Sequence, residues 1–251
     1  MKKIIILVFL FLSLYLCYII YILTENKNTY CLLLGDTISD NQYIKKQNKQ
    51  IKYNNYFVNK DYRIIDLLNI IKYNEEKQTD NKSISIHQKL KKSDIIILSI
   101  GMNDIYSKLN DDTKNIYTYI NNMISNMELI LKEIARYKHK QVIVLGYYNI
   151  TNKNNDIFAY LNYKMKKITK KYHFTYLELN EILKNKEEFL QKKGNYYLNQ
   201  QGYEEINKFI VENLKKTWYN IKSIYYYDFV CHGERRKIWR KIYIQIMLKQ
   251  L

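Results

Sequence analysis

With 251 residues, 47% of them hydrophobic and 26% charged, the chain has the size and composition of a folded domain with extensions, which argues against disorder. The formal net charge of +17 would suit nucleic acid, anionic lipid or an acidic polymer as a partner. No nucleic-acid motif accompanies this charge, so we expect no nucleic-acid partner. The three cysteines, Cys17, Cys31 and Cys231, show neither metal-site nor disulfide spacing, and we expect no metal and no cofactor.

The first predicted element is a membrane anchor over residues 1–24. The stretch Ile4–Leu23 is uncharged, and as a helix it would span about 30 Å, the thickness of a bilayer core. Lys2 and Lys3 precede it, so the positive-inside tendency predicts a single-pass protein of the cell membrane whose main domain is extracytoplasmic. Lysine-rich sequence also follows this stretch, which leaves the opposite orientation open. Membrane lipid is then a partner through Ile4–Leu23. Cleavage of this segment as a signal peptide stays open.

Alternating strand and helix patterns predict an α/β domain over residues 25–218. Short apolar runs indicate strands buried on both faces, and they are Tyr30–Gly35, Asn54–Val58, Asp94–Gly101, Gln141–Tyr147 and Phe174–Leu179. Helical periodicity separates them, at Ile64–Tyr73, Ile84–Lys92, Asn115–Tyr137, Ile157–Tyr172 and Tyr203–Lys216. This order predicts a three-layer α/β/α sandwich around a central, flavodoxin-like parallel sheet of about five strands.

Residues 219–251 form a separate extension in which a basic amphipathic helix is predicted. Its apolar positions share one helical face, while arginine and lysine occupy most of the other. Such a helix suits a membrane interface, and it equally suits packing on the domain with a solvated basic face.

Two turns follow predicted strands directly, at the sheet edge where ligands bind in such folds. The first carries Gly35, Asp36 and Thr37, and the second carries the sequence GMND, from Gly101 to Asp104. Together with YLNQQGY at 197–203, these blocks resemble the SGNH, or GDSL, hydrolase family over most of the chain. In that family a serine in the first block is the nucleophile, the asparagine of G-x-N-D helps to form the oxyanion hole, and a late D-x-x-H supplies acid and base.

The resemblance implies an ester hydrolase site with named residues. Thr37 holds the nucleophile position, Asn103 the oxyanion-hole position and Tyr197 the position of the histidine. The implied pocket residues are Gly35, Asp36, Asp61, Gly101, Asp104 and Asn199. If Asn103 lines the site, Asn103→Ala should lower ester turnover while sparing thermal stability.

Four positions depart from the family pattern. The methyl group of Thr37 crowds the path of attack. Tyr197 replaces the histidine, and Gly194 replaces the aspartate. A phenol, with an ordinary pKa of about 10, is a poor base near neutral pH. Asp61 falls at the place of an oxyanion-hole glycine, where its carboxylate would oppose the developing negative charge. Losing parts of such a unit costs on the order of ten-thousand-fold in turnover.

Other groups offer alternatives for the missing base. Asp36 and Asp104 could be carboxylate bases, or could bond their own turn and hold the loop. The histidines lie in a helix, before strands or in the extension, which favours surface or packing roles; they are His87, His139, His173 and His232.

Two functions therefore remain open. One is a weak or atypical ester or acyl hydrolase acting at the cell surface on acylated lipid, glycan or cell-wall material. The other is an inactive SGNH-fold protein that binds a carbohydrate, an acylated ligand or a protein partner.

Overall fold

A computed structural model describes residues 12–13, 15–16, 29–36, 51–79, 82–111, 114–151, 153–192 and 196–214. In chain order the elements are β1 (Thr29–Gly35), β2 (Ile51–Val58), α1 (Ile64–Lys72), β3 (Glu76–Thr79), β4 (Lys82–Ser85), α2 (Ile86–Lys92), β5 (Ile95–Ser99), α3 (Met102–Asp111), α4 (Ile116–Ile134), β6 (Gln141–Leu145), α5 (Asn155–Lys171), β7 (Thr175–Leu177), α6 (Asn180–Leu183) and a 3-10 helix (Glu187–Phe189). Helical residues 200–214 follow.

Five strands form one parallel sheet in the order β2-β1-β5-β6-β7. Every residue of β5 and β6 is buried, as expected for apolar strands inside a parallel sheet. Helix α4 packs against both α1 and α5, so these three form one helical layer. The predicted α/β class with a parallel sheet of about five strands is thereby confirmed, and the second helical layer stays a prediction.

The strand order fixes where a ligand can bind. From β1 the chain first adds β2 on one side of the sheet, and β5 then joins the opposite side of β1. The order thus reverses between β1 and β5, and in open α/β sheets the binding crevice lies outside the carboxyl ends of the strands at such a point. The residues that follow β1 and β5 therefore lie at the expected binding crevice.

Two elements differ from the sequence prediction. Strands β3 and β4 form an antiparallel hairpin, so Ile84 and Ser85, predicted as helical, are extended. Ser85 then caps α2 by accepting the backbone N–H of Gln88 (3.3 Å). Helix α3, predicted as a turn, begins at Met102, immediately after Gly101.

The predicted anchor lies outside the described residues, apart from four that are helical and exposed, namely Leu12, Ser13, Tyr15 and Leu16. Across the part of the chain that the structure describes, no helix combines the length and apolarity needed to span a membrane.

The chain divides into two units, Met1–Glu205 and Ile206–Leu251, and residues 206–214 of the second unit are helical. The predicted extension at 219–251 lies outside the described residues, and the domain boundaries stay predictions.

Candidate active site

The turn after β1 is built around a glycine that has no room for a side chain. Gly35 has φ +115°, and a Cβ atom there would lie 1.7 Å from the carbonyl oxygen of Ser99. This close approach lets the backbone N–H of Asp36 donate to the same Ser99 oxygen (2.7 Å). The ends of β1 and β5 are therefore joined where the strand order reverses.

The carboxylate of Asp36 holds the first turn of α3. Its Oδ2 atom accepts the backbone N–H groups of Gly101 (3.0 Å) and Met102 (3.1 Å), and the residue is 4% exposed. A carboxylate at a helix N-terminus satisfies free backbone donors and is favoured by the helix dipole. This geometry supports the local bonding role of Asp36 over the role of a base.

Asp104 makes a similar connection to another helix. Its Oδ2 accepts the backbone N–H of Ile64, the first residue of α1 (3.0 Å). Burial raises the pKa of this carboxyl above its ordinary value, and the Ile64 N–H and Arg63 oppose that shift. Nearby, the hydroxyl of the buried Tyr147 donates to the carbonyl of Ile100 (3.0 Å). Asp104 thus ties α3 to α1, as expected of a residue that holds the loop.

Asn103 lies in the first turn of α3, and its amide is fully engaged. The Nδ2 group donates to the carbonyl oxygens of Lys60 (2.6 Å) and Tyr62 (2.9 Å). Its Oδ1 accepts the hydroxyl of Tyr196 (2.8 Å) and lies 3.4 Å from the hydroxyl of Tyr197. Because an amide NH₂ has two hydrogens, both of its donors are used by the main chain.

Asp61 lies between the two carbonyl groups that Asn103 binds. Its side chain is exposed, and its backbone N–H donates to Oδ1 of Asn59 (3.0 Å). The structure therefore brings Asp61 next to the Asn103 amide through the backbone of residues 60–62. Its assignment to the position of the family's glycine stays a prediction.

Tyrosines surround the oxygen of Asn103. The ring of Tyr196 stacks on Tyr106 (centroids 4.1 Å apart, planes at 8°) and lies 4.4 Å from Tyr197. Tyr148, fully buried, donates its hydroxyl to the Tyr196 carbonyl (2.9 Å). Burial raises the pKa of Tyr106 to about 12 and that of Tyr196 further above its ordinary value. Both phenols are therefore neutral donors near neutral pH.

The sequence pointed to Tyr197 but missed Tyr196 and Tyr106. Tyr197 does lie beside Asn103, yet its neighbour Tyr196 makes the shorter bond. The signal was the YY pair itself, because two adjacent side chains on irregular backbone can both turn toward one site. No spacing rule connects Tyr106 with Tyr196 across 90 residues, so that stacking required the structure.

Asn199 caps a helix. Its Oδ1 accepts the backbone N–H of Gly202 (3.1 Å) at the start of helical residues 200–214, and its Nδ2 donates to the carbonyl of Glu188 (2.6 Å). This is the bonding of an N-cap asparagine. In this geometry Asn199 organises the segment that carries Tyr196 and Tyr197.

Two of the predicted positions, Thr37 and Gly194, lie outside the described residues, as does His232. The other histidines contact groups near the amino ends of the strands. His139 Nδ1 lies 2.8 Å from the carbonyl oxygen of Ser93, which precedes β5, and His87 Nε2 lies 2.8 Å from that of Ile71. His173 lies two residues before the start of β7. Within the described ranges, no group of three or more His, Cys, Asp or Glu side chains is placed to hold a metal ion.

Comparisons with known proteins agree with this architecture. No protein-family profile matches the sequence, and no curated protein matches it. Solved structures do match. Acetyl xylan esterase AlAXEase superposes with a TM-score of 0.56 at 12% identity, covering 73% of this chain and 98% of that protein. A GDSL-like lipase from Parabacteroides merdae gives 0.55 at 13% (74% and 95% covered), and acetylxylan esterase Axe2 from Geobacillus stearothermophilus gives 0.52 at 13% (74% and 95%).

The chain therefore has the SGNH/GDSL hydrolase fold, as the sequence motifs predicted. Identities of 12 to 13% establish the shared fold and leave the chemistry to be argued from the site.

Proposed function

We propose that the protein is a membrane-anchored SGNH-fold protein that binds an acylated or carbohydrate ligand and does not hydrolyse esters efficiently. The observation that carries this proposal is the state of Asn103, whose two amide donors both bind main-chain carbonyls. An oxyanion hole works through donors that are already aimed at the developing charge. Asn103 would have to break one of these bonds before it could serve as such a donor.

The magnitude of this effect is substantial. Removing one oxyanion-hole donor from an active enzyme costs on the order of a hundred- to a thousand-fold in turnover. The loss of the base adds to it, because Tyr197 replaces an imidazole and the histidines that the structure describes contact the other edge of the sheet. Since such effects act on one catalytic unit, we expect the combined loss to be smaller than their product.

The ligand class follows from the groups that the site presents. Tyr106, Tyr196 and Tyr197 form a partly exposed aromatic cluster with hydroxyl groups, a combination that suits an amphipathic ligand with apolar and hydrogen-bonding surfaces. The superposed proteins are esterases that act on acetyl xylan and a lipase-like protein. By analogy, an acylated glycan, lipid or cell-wall component is the proposed ligand.

The proposed location is the cell membrane. It rests on the uncharged stretch Ile4–Leu23, with Lys2 and Lys3 on its cytoplasmic side and the domain extracytoplasmic. A ligand at the cell surface would then be within reach of the site.

A second candidate function, a slow ester hydrolase, is favoured by one observation. Gly101 and Asn103 lie outside the carboxyl ends of the strands at the point where the order reverses, which is where this fold places a site. If a ligand displaced the main-chain carbonyls from Asn103, its amide would become a donor, and Thr37 would be the nucleophile.

Covalent labelling distinguishes the two functions. The full-length protein in detergent is treated with a fluorophosphonate probe and analysed by intact mass and peptide mapping, beside Thr37→Ala and Thr37→Ser. We expect no adduct at residue 37 in the wild type or in Thr37→Ala, and p-nitrophenyl acetate turnover equal in these two proteins. A serine esterase serves as the reagent control, and circular dichroism verifies folding.

An adduct at Thr37 that Thr37→Ala abolishes would overturn the binding proposal and establish an activated hydroxyl. Calorimetric titration with acetylated xylo-oligosaccharides and with a lysophospholipid then tests binding directly. Absence of binding to both would contradict the proposed ligand class.

A further inference from the structure

The amino ends of the parallel strands carry clustered positive charge. Exposed lysines lie in the last turns of α2 and α5, near the start of β2 and just before β6. We name this surface the basic edge, and its members are Lys52, Lys91, Lys92, Lys138, Lys140 and Lys170. All of these residues are exposed, so their charges face solvent or a partner.

Helix stabilisation explains part of this arrangement. Lys91, Lys92 and Lys170 lie in last turns, where cations complement the helix dipole. Lys52 is in a strand and Lys138 is in the loop before β6, so the dipole accounts for neither. The edge therefore has more positive charge than its helices require.

Acidic neighbours neutralise only a share of it. Lys140 forms an ion pair with Asp94 (3.0 Å). Glu133 pairs with Arg136 and Glu128 with Lys171, and neither of these cations is a member of the basic edge. Of these three acids, Asp94 pairs with a member of the basic edge, and the two glutamates pair with cations outside it.

The opposite edge of the sheet has a different balance of charge. The carboxylates of Asp36 and Asp104 lie there, with the exposed Asp61 among lysines such as Lys60 and Lys153. Carboxylates thus accompany the lysines at the opposite edge, whereas the basic edge presents a cluster of exposed lysines, and this asymmetry favours one orientation next to a negatively charged surface.

The sequence places the proposed anchor beside the basic edge. Strand β1 begins at Thr29, and the uncharged stretch ends at Leu23. Even fully extended, the intervening residues span at most about 20 Å, so the amino end of β1 stays within that distance of the membrane. Tyr30 lies at this end and is 49% exposed, and tyrosine is enriched where proteins meet lipid headgroups.

We propose that the basic edge docks on the anionic phospholipid headgroups of the membrane in which the chain is anchored. This inference rests on the anchor of the proposed function. Lysines near an anionic bilayer are attracted over about a Debye length, so several of them acting together would fix the orientation of the domain. Docking would turn the carboxyl ends of the strands, with Asn103 and the tyrosines, away from the lipid and toward ligands outside.

The test measures the distance of each edge from lipid. Full-length protein carrying Cys17→Ser and Cys231→Ser is labelled with an environment-sensitive fluorophore at Lys138→Cys or at Lys153→Cys, which is exposed at the opposite edge. Both variants lose the same charge, and the native Cys31 is fully buried. The proteins are reconstituted in vesicles of phosphatidylcholine with or without phosphatidylglycerol, and headgroup spin labels quench the fluorophore.

We expect quenching at position 138 to exceed that at 153 by about twofold or more in phosphatidylglycerol vesicles, and the difference to shrink in phosphatidylcholine or in about 1 M salt. The triple change of Lys91, Lys92 and Lys170 to Gln should reduce this difference in quenching. The matched change of Lys60, Lys184 and Lys192 to Gln should leave it unchanged.

Equal quenching at both positions, in protein that resists carbonate extraction from the vesicles, would overturn the docking proposal and leave the anchor intact. Extraction of the protein by carbonate would refute the anchor, and the docking proposal that rests on it would fall as well. The two failures are therefore distinguishable.

Discussion

Replacing Asp36 should destabilise the fold more than any exposed carboxylate would. Asp36 is 4% exposed and accepts the backbone N–H groups of Gly101 and Met102. Hydrogen bonds to charged groups contribute about 1.5 to 3 kcal/mol each, and buried donors left unsatisfied incur a desolvation cost. We therefore expect Asp36→Ala to lower the free energy of unfolding by about 3 to 5 kcal/mol, out of a total of about 5 to 15 kcal/mol.

Two further variants make this prediction specific. Asp36→Asn keeps an oxygen acceptor and loses the charge, so we expect a loss of about 1 to 2 kcal/mol. Asp66 is the matched control, because this exposed carboxylate also binds a backbone N–H at a helix start, that of Arg63 (2.8 Å). Asp66→Ala should cost about 1 kcal/mol, the usual effect of a lost cap.

Urea denaturation followed by circular dichroism measures these differences, and thermal unfolding checks them. For a domain of this size, 1 kcal/mol corresponds to about 2 to 4 °C, so Asp36→Ala should melt about 10 °C below the wild type. A loss for Asp36→Ala no larger than that for Asp66→Ala would refute the reasoning. It would mean that the turn after β5 and the start of α3 do not depend on this carboxylate.

Three other predictions follow from the same geometry. Burial raises the pKa of Asp104, so the stability contributed by its neutral form is complete below the unfolded value of about 4 and is lost as pH rises through the folded value. Asp104→Asn, which cannot ionise, should therefore gain stability relative to wild type as pH rises above about 4 in urea titrations, and a stability difference that does not change with pH would contradict this. Asn103→Ala removes bonds to Lys60, Tyr62 and Tyr196 and should cost about 2 to 3 kcal/mol by urea denaturation, against the expectation from sequence that stability is spared. Gly101→Ala should cost about 2 kcal/mol or more in thermal unfolding, because φ is +106° and its Cβ would lie 2.6 Å from the Tyr147 hydroxyl; an unchanged melting temperature would refute that steric argument.

The parallel sheet was predictable because its strands are short, apolar and buried on both faces. Each of the five predicted runs overlaps an observed strand. The hairpin of β3 and β4 was missed because EKQT and KSIS are polar and lack an apolar alternation. Helix α3 was missed because its first turn is held by Asp36, 65 residues earlier, and a cap supplied by tertiary structure leaves no local signal.

The site was predictable only in part, since motifs identify positions and not bonding partners. The sequence placed Asn103 and Tyr197 in one site, and the structure brings them within 3.4 Å. It could not show that the Asn103 amide binds the carbonyls of Lys60 and Tyr62, because those acceptors are backbone atoms that any residue carries. The intrinsic chemistry of a side chain is visible in a sequence, whereas the use of its donors depends on the fold.

The same geometry explains why the motifs alone cannot decide between enzyme and binding protein. Asp36 caps α3, Asp104 accepts the first backbone N–H of α1, and Asn103 bonds residues 60–62 to α3. Each of these matches to the family pattern has a structural function that requires the same residue type whether or not an ester is cleaved. Information about turnover must therefore come from the positions that depart from the family pattern, above all Thr37 and Tyr197. The variant Thr37→Ser/Tyr197→His introduces the family's residues at both positions. It should gain ester turnover only if Asn103 also releases its main-chain acceptors. We therefore expect this protein to be folded and inactive.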